Sequence, residues 1–403
     1  MTPGHHSSVT NSPGRVPAPE LPSPAPLPGH RVRTAFGLSA FVEELCALVL
    51  AARNRVYADF YVLGGAVGHA VADALIRRHR EGLDVRILLD RYLGTFWPLR
   101  QEVLPVKAVL DGSGLPLRLA VTRPGGRLVR RRVPDHNKLI VADGLACCLG
   151  GTNVTDLAAR FDDLAVRIEG PVCGDLERQF LHDWALAGSG LNRGASRRVP
   201  APTEVRFDGC GLLPSVSADG LATVRMVGTG PGRLSLGGAL LNAIDSARRS
   251  IDVHVHQMDD AGTIAALIRA HQRGIEVRVV LDPIELHHYV PGLRYAPRAT
   301  LNAYAVTRLR RGGVPVRFAR LTGDCLAYHM KLALFDRSIV LTGTANWTRR
   351  AVAVMTETVF EIAGCPAVAE LQAWFDAGWR DRTDPAVVGL QSRAWDAVFR
   401  LIL

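Results

Sequence analysis

The stretch DHNKLIVADG, residues 135–144, sets a histidine and a lysine two residues apart at the head of an apolar run that closes on an aspartate. YHMKLALFDR, residues 328–337, repeats that order with the same gaps, so that His136 and His329, Lys138 and Lys331, and Asp143 and Asp336 are each 193 residues apart. Flanking segments repeat as well. ALIRRHREGLDVRILLD at 74–90 returns as ALIRAHQRGIEVRVVLD at 266–282, and Gln179 and Asp183 near the end of the first copy match Gln372 and Asp376. A repeat of this length means one structural unit written twice.

The periodicities within each copy alternate. RVYADFYV (55–62) and SIDVHVHQM (250–258) alternate as strands do, VADALIRRHREG and IAALIRAHQRG carry helical spacing and end at Gly, and DVRILLD and EVRVVLD read as buried strands. Strand, helix, strand implies a right-handed crossover and an α/β fold. The histidine-lysine segments then read as hairpins turning at Asp143-Gly144 and Asp336-Arg337. The expected architecture is two similar α/β halves packed about a pseudo-twofold axis. Its parts are a disordered Pro-rich tail over 1–31, a first half over 32–187, a linker over 188–223 and a second half over 224–403.

Composition narrows the partners. The net charge of +10 suits an anionic one, and the positive charge is nearly all arginine: lysine occurs at Lys107, Lys138 and Lys331 alone. Two of three lysines thus fall beside the repeated histidines, where a compact, mobile ammonium serves better than a planar guanidinium. Seven scattered cysteines with no C-x-x-C pair indicate neither a disulfide framework nor a thiolate metal site. No run of about 18 apolar residues suggests a membrane span, and the N-terminal stretch lacks the pattern of a secretory signal. The expected location is cytoplasmic, or peripheral at a membrane.

On a strand, residues i and i+2 share a face, so each hairpin presents an imidazole and an ammonium together. The candidate catalytic set is His136, Lys138, Asp143, His329, Lys331 and Asp336, with the aspartates, five residues beyond the lysines, expected to brace the hairpins more than to touch substrate. The candidate substrate-binding set is Asn153 in GGTN, Asn346 in GTAN, Asp163, Glu357, His254 and His256. A carboxylate at Asp163 or Glu357 would hold the second nitrogen of a histidine and fix its tautomer. With the halves face to face, two imidazoles and two ammoniums would grip one phosphate: one imidazole attacks phosphorus while the other protonates the leaving oxygen and then deprotonates the acceptor. No metal and no cofactor is called for.

The paired H-x-K-x4-D patterns, with GGTN and GTAN after them, resemble the phospholipase D superfamily, and the repeat covers most of the chain from about residue 32. FDDLAVRIEGPVCGDLERQFLHDW is similar to the corresponding region of bacterial cardiolipin synthases, and GTANWTRRAV resembles phospholipase D-like bacterial proteins. The resemblance implies a duplicated phospholipase D-like unit, with His136 as the nucleophile of a phosphohistidine intermediate and His329 as general acid and base. Against many cardiolipin synthases, a lack of the paired membrane helices is an expected departure. The implied partner is a phospholipid substrate or an anionic membrane surface, with no obligate protein partner. A metal-independent nuclease is the alternative, and a noncatalytic binder of anionic ligands a third reading.

Three weaker signals remain. Arg127, Arg130, Arg131 and Arg132 make a basic loop before the first histidine, suited to headgroup recruitment or to plain solvation. His254 and His256 with His287 and His288 form a thin metal-site pattern, and GGAVGH (64–69) a weak phosphate loop without its lysine.

Overall fold

The computed structural model describes residues 21–91, 97–120, 134–188, 205–206, 221–283, 300–390 and 392. The basic loop with Arg127, Arg130, Arg131 and Arg132 lies outside these residues, as do His287, His288 and most of the expected linker.

The first half runs β1 (Leu27–Phe36), α1 (Gly37–Ala51), β2 (Arg55–Phe60), α2 (Gly65–Arg80), β3 (Asp84–Leu89), α3 (Trp97–Gly112) and β4 (Leu117–Leu119). It continues with β5 (Lys138–Ala142), β6 (Ala146–Gly150), β7 (Phe161–Asp162), β8 (Leu164–Glu169) and α4 (Val172–Gly188). A short β9 (Val205–Arg206) precedes the second half: β10 (Ala222–Gly230), β11 (Arg233–Leu234), α5 (Leu236–Ser246), β12 (Ser250–Val255), α6 (Ala261–Gln272) and β13 (Glu276–Leu281). Then come α7 (Ala303–Arg311), β14 (Val316–Ala319), β15 (Ala327–Tyr328), β16 (Lys331–Phe335) and β17 (Ile339–Gly343). The chain closes with α8 (Arg349–Ala353), β18 (Glu357–Ala363), α9 (Pro366–Asp381) and β19 (Thr383–Pro385).

The strands of each half pair in the same order. In the first half β4, β3 and β2 are parallel, and β2, β5, β6, β8 and β1 follow antiparallel. In the second, β14, β13 and β12 are parallel, then β16, β17, β18 and β10 antiparallel. β1 also pairs with β10 at Leu27 and His30, joining the two sheets. That strand begins inside the segment read as tail. His30 is fully buried, with Nδ1 3.2 Å from the Ala222 oxygen and Nε2 accepting from Val172 N at 2.9 Å, so the ordered unit starts earlier than residue 32.

Alternation along the central hairpins builds the layers. Leu139 and Val141 on β5, with Leu332 and Leu334 on β16, enter a middle core shared by both halves and covered by α4 and α9. Ile140 and Ala142 face the outer core under α1 and α2, and Ala333 and Phe335 the outer core under α5 and α6. Each sheet is therefore buried on both faces, which is why its strands read as nearly continuous apolar runs. The cysteines among the described residues are free thiols. No helix among the described residues is long and apolar enough to cross a membrane.

The motif aspartates shape the hairpins. Asp143 and Asp336 have φ of 55° and 52°, in the left-handed region where Asp is better tolerated than most residues. Asp143 also accepts from the backbone N–H groups of Arg53, Asn54 and Arg55 at 2.8, 2.8 and 2.9 Å. Asp336 does the same for Arg248, Arg249 and Ser250 at 3.0, 2.6 and 3.0 Å. Each carboxylate clamps the start of the neighbouring strand, at the hairpin end remote from the histidine.

Candidate active site

Each histidine segment is stitched to the other half. His136 N donates to Thr356 O at 2.9 Å and Thr356 N to Pro134 O at 3.3 Å. In mirror fashion β15, just before His329, pairs in parallel with β7, and His329 N donates to Asp162 O at 2.8 Å. The residue after each anchor is the carboxylate of the opposite dyad. His136 Nδ1 lies 3.0 and 3.2 Å from Oε1 and Oε2 of Glu357, and His329 Nδ1 lies 2.7 Å from Oδ2 of Asp163. The sequence indicated carboxylates that hold histidines; the structure adds that they are exchanged between halves.

The lysines lie in the same cluster. Lys138 Nζ donates to His136 O at 2.7 Å and sits 5.0 Å from the Tyr61 ring centre. Lys331 Nζ rests on the His329 carbonyl oxygen and against its ring, 2.8 Å from Nδ1 and 3.3 Å from Nε2, with Asp163 Oδ2 at 3.9 Å. Nδ1 can make one hydrogen bond only, and donation to Asp163 is the better one, since it sets an N–H against a carboxylate.

Burial and crowded positive charge set the electrostatics. Desolvation lowers Lys138 to about 7 and Lys331 to about 8, against the pull of Glu357 and Asp163. His136 is lowered by desolvation, with Glu357 opposing. His329 is pushed well below its ordinary value by desolvation and then by Lys331, with His256, Lys138 and His136 adding to it. Asp163 rises to about 7 through burial, opposed by Lys331.

The two dyads differ in their supports. Glu357 Oε2 accepts from the Thr344 hydroxyl at 2.6 Å. In the first half the place of Thr344 is taken by Gly151, where an added Cβ would lie 2.7 Å from both Asp163 Oδ1 and the Lys331 Cδ. The shorter carboxylate thus has glycine beside it, and the longer one a hydroxyl. Asn153 Oδ1 and Asn346 Oδ1 are buried acceptors with no hydrogen-bond donor.

Not every expected residue reaches this cluster. Asp143 and Asp336 hold backbone N–H groups as strand clamps at the far ends of β5 and β16, away from the histidines. His256 does reach it: its ring centre is 4.4 Å from that of His329, and its Nδ1 is 3.3 Å from Asp282 Oδ2. His254, one pleat deeper on the same strand, instead stacks between Tyr328 at 5.8 Å and Trp374 at 5.6 Å, over the middle core. GGAVGH is no phosphate loop, because the Asp156 carboxylate already takes Ala66 N at 2.9 Å and Val67 N at 3.1 Å. Tyr61, which the sequence did not single out, packs on His136 at 4.9 Å between ring centres. Asp282 was missed, although its match to Asp90 in the repeat was there to be read.

Residues 240–379 match the family model described as cardiolipin synthase, PLD-like domain. Cardiolipin synthase A of Pseudomonas entomophila (strain L48) is 28% identical over 339 residues, covering 81% of this chain and 63% of that protein. Cardiolipin synthase A of Pseudomonas putida (strain GB-1) is 26% identical over 347 residues, covering 83% and 65%. The chain spans a little under two thirds of the length of these relatives. Among solved structures, phosphatidylserine synthase of Haemophilus influenzae Rd KW20 superposes with a TM-score of 0.66 at 16% identity, over 92% of this chain and 95% of that one. Polyphosphate kinase from Porphyromonas gingivalis gives 0.57 at 13% identity, over 92% and 52%. These likenesses are of fold.

Proposed function

We propose that the chain is a phosphatidyltransferase or phosphodiesterase that acts on a glycerophospholipid through a phosphohistidine. The observation that carries this reading is the exchange of dyads: Glu357 against His136 and Asp163 against His329, with both lysines beside them. In each dyad the carboxylate orients Nδ1, which leaves Nε2 as the atom that can meet phosphorus or a leaving oxygen. His136 Nε2 attacks phosphorus and the phosphorus–oxygen bond to the leaving alcohol breaks. His329, which takes up a proton at Nε2 as the anionic phosphodiester offsets the lysine charge, hands that proton to the leaving oxygen. His329 then takes a proton from water or an acceptor alcohol, whose oxygen attacks phosphorus and releases His136. Lys138 and Lys331 stabilise charge on the nonbridging oxygens.

The likeness to cardiolipin synthases supports a phospholipid as substrate, with the protein working at a membrane surface. The excess of arginine keeps nucleic acid as the second substrate class to be tested. The experiment is a rapid-quench trap of phosphorylated histidine, run with labelled phosphatidylglycerol, phosphatidylcholine and an oligonucleotide side by side. Label on His136 from lipid alone is the expected result. Label from the oligonucleotide alone would replace lipid with nucleic acid, and label on His329 would reverse the two roles.

A further inference from the structure

The two halves mount their histidines on different material. The strand register fixes the correspondence: Phe60 pairs with Lys138 and Val255 with Lys331, so Asp59 matches His254 and Tyr61 matches His256. The residues flanking the histidines match in the same way, Asp135 with Tyr328 and Asn137 with Met330, while Asp90 matches Asp282 after the next strand. The second mount is therefore mostly aromatic and apolar. The first holds three carboxyl groups, Asp59, Asp90 and Asp135, each at most 2% exposed.

Hydrogen bonds tie these groups to the segment that bears His136. Asp135 N donates to Asp90 Oδ2 at 2.8 Å, Asn137 N to Asp135 Oδ1 at 3.3 Å, and Asn137 Nδ2 to Asp59 Oδ2 at 2.9 Å. The other oxygens of that last pair, Asp59 Oδ1 and Asn137 Oδ1, are both buried acceptors with no donor. A proton on Asp59 Oδ1 supplies the donor they lack, completing a two-bond pair of carboxylic acid and carboxamide; an ionised Asp59 leaves two buried acceptors facing nothing.

We propose that Asp59 works in its protonated form as a positioning residue for His136, paired acid to amide with Asn137, with Asp90 and Asp135 completing the mount. Charge counting agrees. Among the described residues, the groups facing the cluster include Lys138 on β5, Asp183 on α4, Arg233 on β11 and Tyr61 after β2. Arg233 is held by Asp183, with Nη1 3.0 Å from both carboxylate oxygens, and Lys138 also faces Glu357 and Asp163. For Asp59 and Asp135, each 2% exposed, one shared ammonium cannot balance two buried carboxylates. Desolvation raises Asp59 and Asp90 to about 7 and Asp135 well above its ordinary value. Ionisation as pH rises through that range breaks the pair and frees the His136 segment.

The activity arm of the test rests on the function proposed above; the spectroscopic arm does not. Infrared spectra of the full chain, recorded from about pH 5 to about pH 9, should show the carbonyl band of a protonated carboxylic acid that bleaches near pH 7. Asp59→Asn should remove part of that band. Absence of the band, or an unchanged band in Asp59→Asn, overturns the proposal even if no substrate is found. With phospholipid substrate, Asp59→Ala should lower kcat by tenfold or more with KM little changed. Asp59→Asn, which keeps the two-bond pair, should restore kcat to within about threefold of the parent and move the alkaline limb of the profile upward by about one pH unit. Should Asp59→Asn fold and yet be as impaired as Asp59→Ala at every pH, the group works ionised and the proposal fails.

Discussion

His329 Nδ1 lies 2.7 Å from Asp163 Oδ2, although the two residues stand 166 positions apart and belong to opposite halves. With Glu357 against His136, neither half holds a complete dyad of its own. Neutral amides in these places cannot fix the tautomer or steady an imidazolium. Asp163→Asn and Glu357→Gln should each lower kcat by roughly 10²–10⁴-fold, with smaller changes in KM. Steady-state kinetics on both variants checks this, and a loss confined to KM would show that the carboxylates serve binding alone.

The two lysines make stability depend on pH in a known direction. In the unfolded chain a lysine keeps its proton to about pH 10.4, whereas burial lowers Lys138 to about 7 and Lys331 to about 8. Between those limits the folded state binds fewer protons than the unfolded one, so the contribution of these groups to stability rises with pH from about 7 to about 10. Asp59 and Asp90, raised to about 7, act oppositely: their contribution is full below about pH 4 and is lost as pH rises through 7. Lys138→Met should flatten the alkaline rise in a plot of Tm against pH, and Asp59→Asn the fall below neutrality.

An anion in the cluster restores the lysine protons. Inorganic phosphate should therefore raise Tm more at about pH 6.5 than at about pH 9, and proton uptake should accompany its binding near neutrality. Calorimetry in two buffers of different ionisation enthalpy measures that uptake. Equal stabilisation at both pH values, unaffected by Lys138→Met or Lys331→Met, would place the phosphate elsewhere.

What the sequence made legible follows from locality. The repeat, the hairpins and the shared face of His136 with Lys138 rest on periods of two and on turn chemistry, which act over a few residues. Which carboxylate meets which histidine depends on how β7 meets β15 and how Thr356 meets the His136 segment, contacts that span more than 150 residues and leave no local trace. His254 shows the limit from the other side. Its sharing of a face with His256 was readable, but its depth along β12, against Tyr328 and Trp374, was set by α9 packing over the sheet. The start of β1 at Leu27 was hidden by a Pro-rich composition, because pairing with β10 supplies the order that the segment itself lacks.

Asp143 and Asp336 should behave as parts of the frame. Each collects three backbone N–H groups at the start of a neighbouring strand, so Asp143→Ala or Asp336→Ala should cost about 1–3 kcal/mol in denaturant unfolding. The Michaelis parameters of whatever protein remains folded should stay close to the parent. A drop in kcat with stability unchanged would return these aspartates to the chemistry.

Gly151 and Thr344 test the asymmetry between the dyads. A methyl group at Gly151 would come within 2.7 Å of Asp163 Oδ1 and of the Lys331 stem, so Gly151→Ala must displace a carboxylate or an ammonium. Thr344 is different: its hydroxyl donates to Glu357 at 2.6 Å, and Thr344→Val removes that bond without adding bulk. The first substitution should disturb the dyad of His329, the second that of His136. If His136 is the nucleophile, Thr344→Val should slow formation of the phosphohistidine, and Gly151→Ala should slow both leaving-group protonation and its hydrolysis. Rapid-quench measurement of the intermediate separates the steps, and identical effects of the two variants on both phases would mean that the imidazoles do not divide the work.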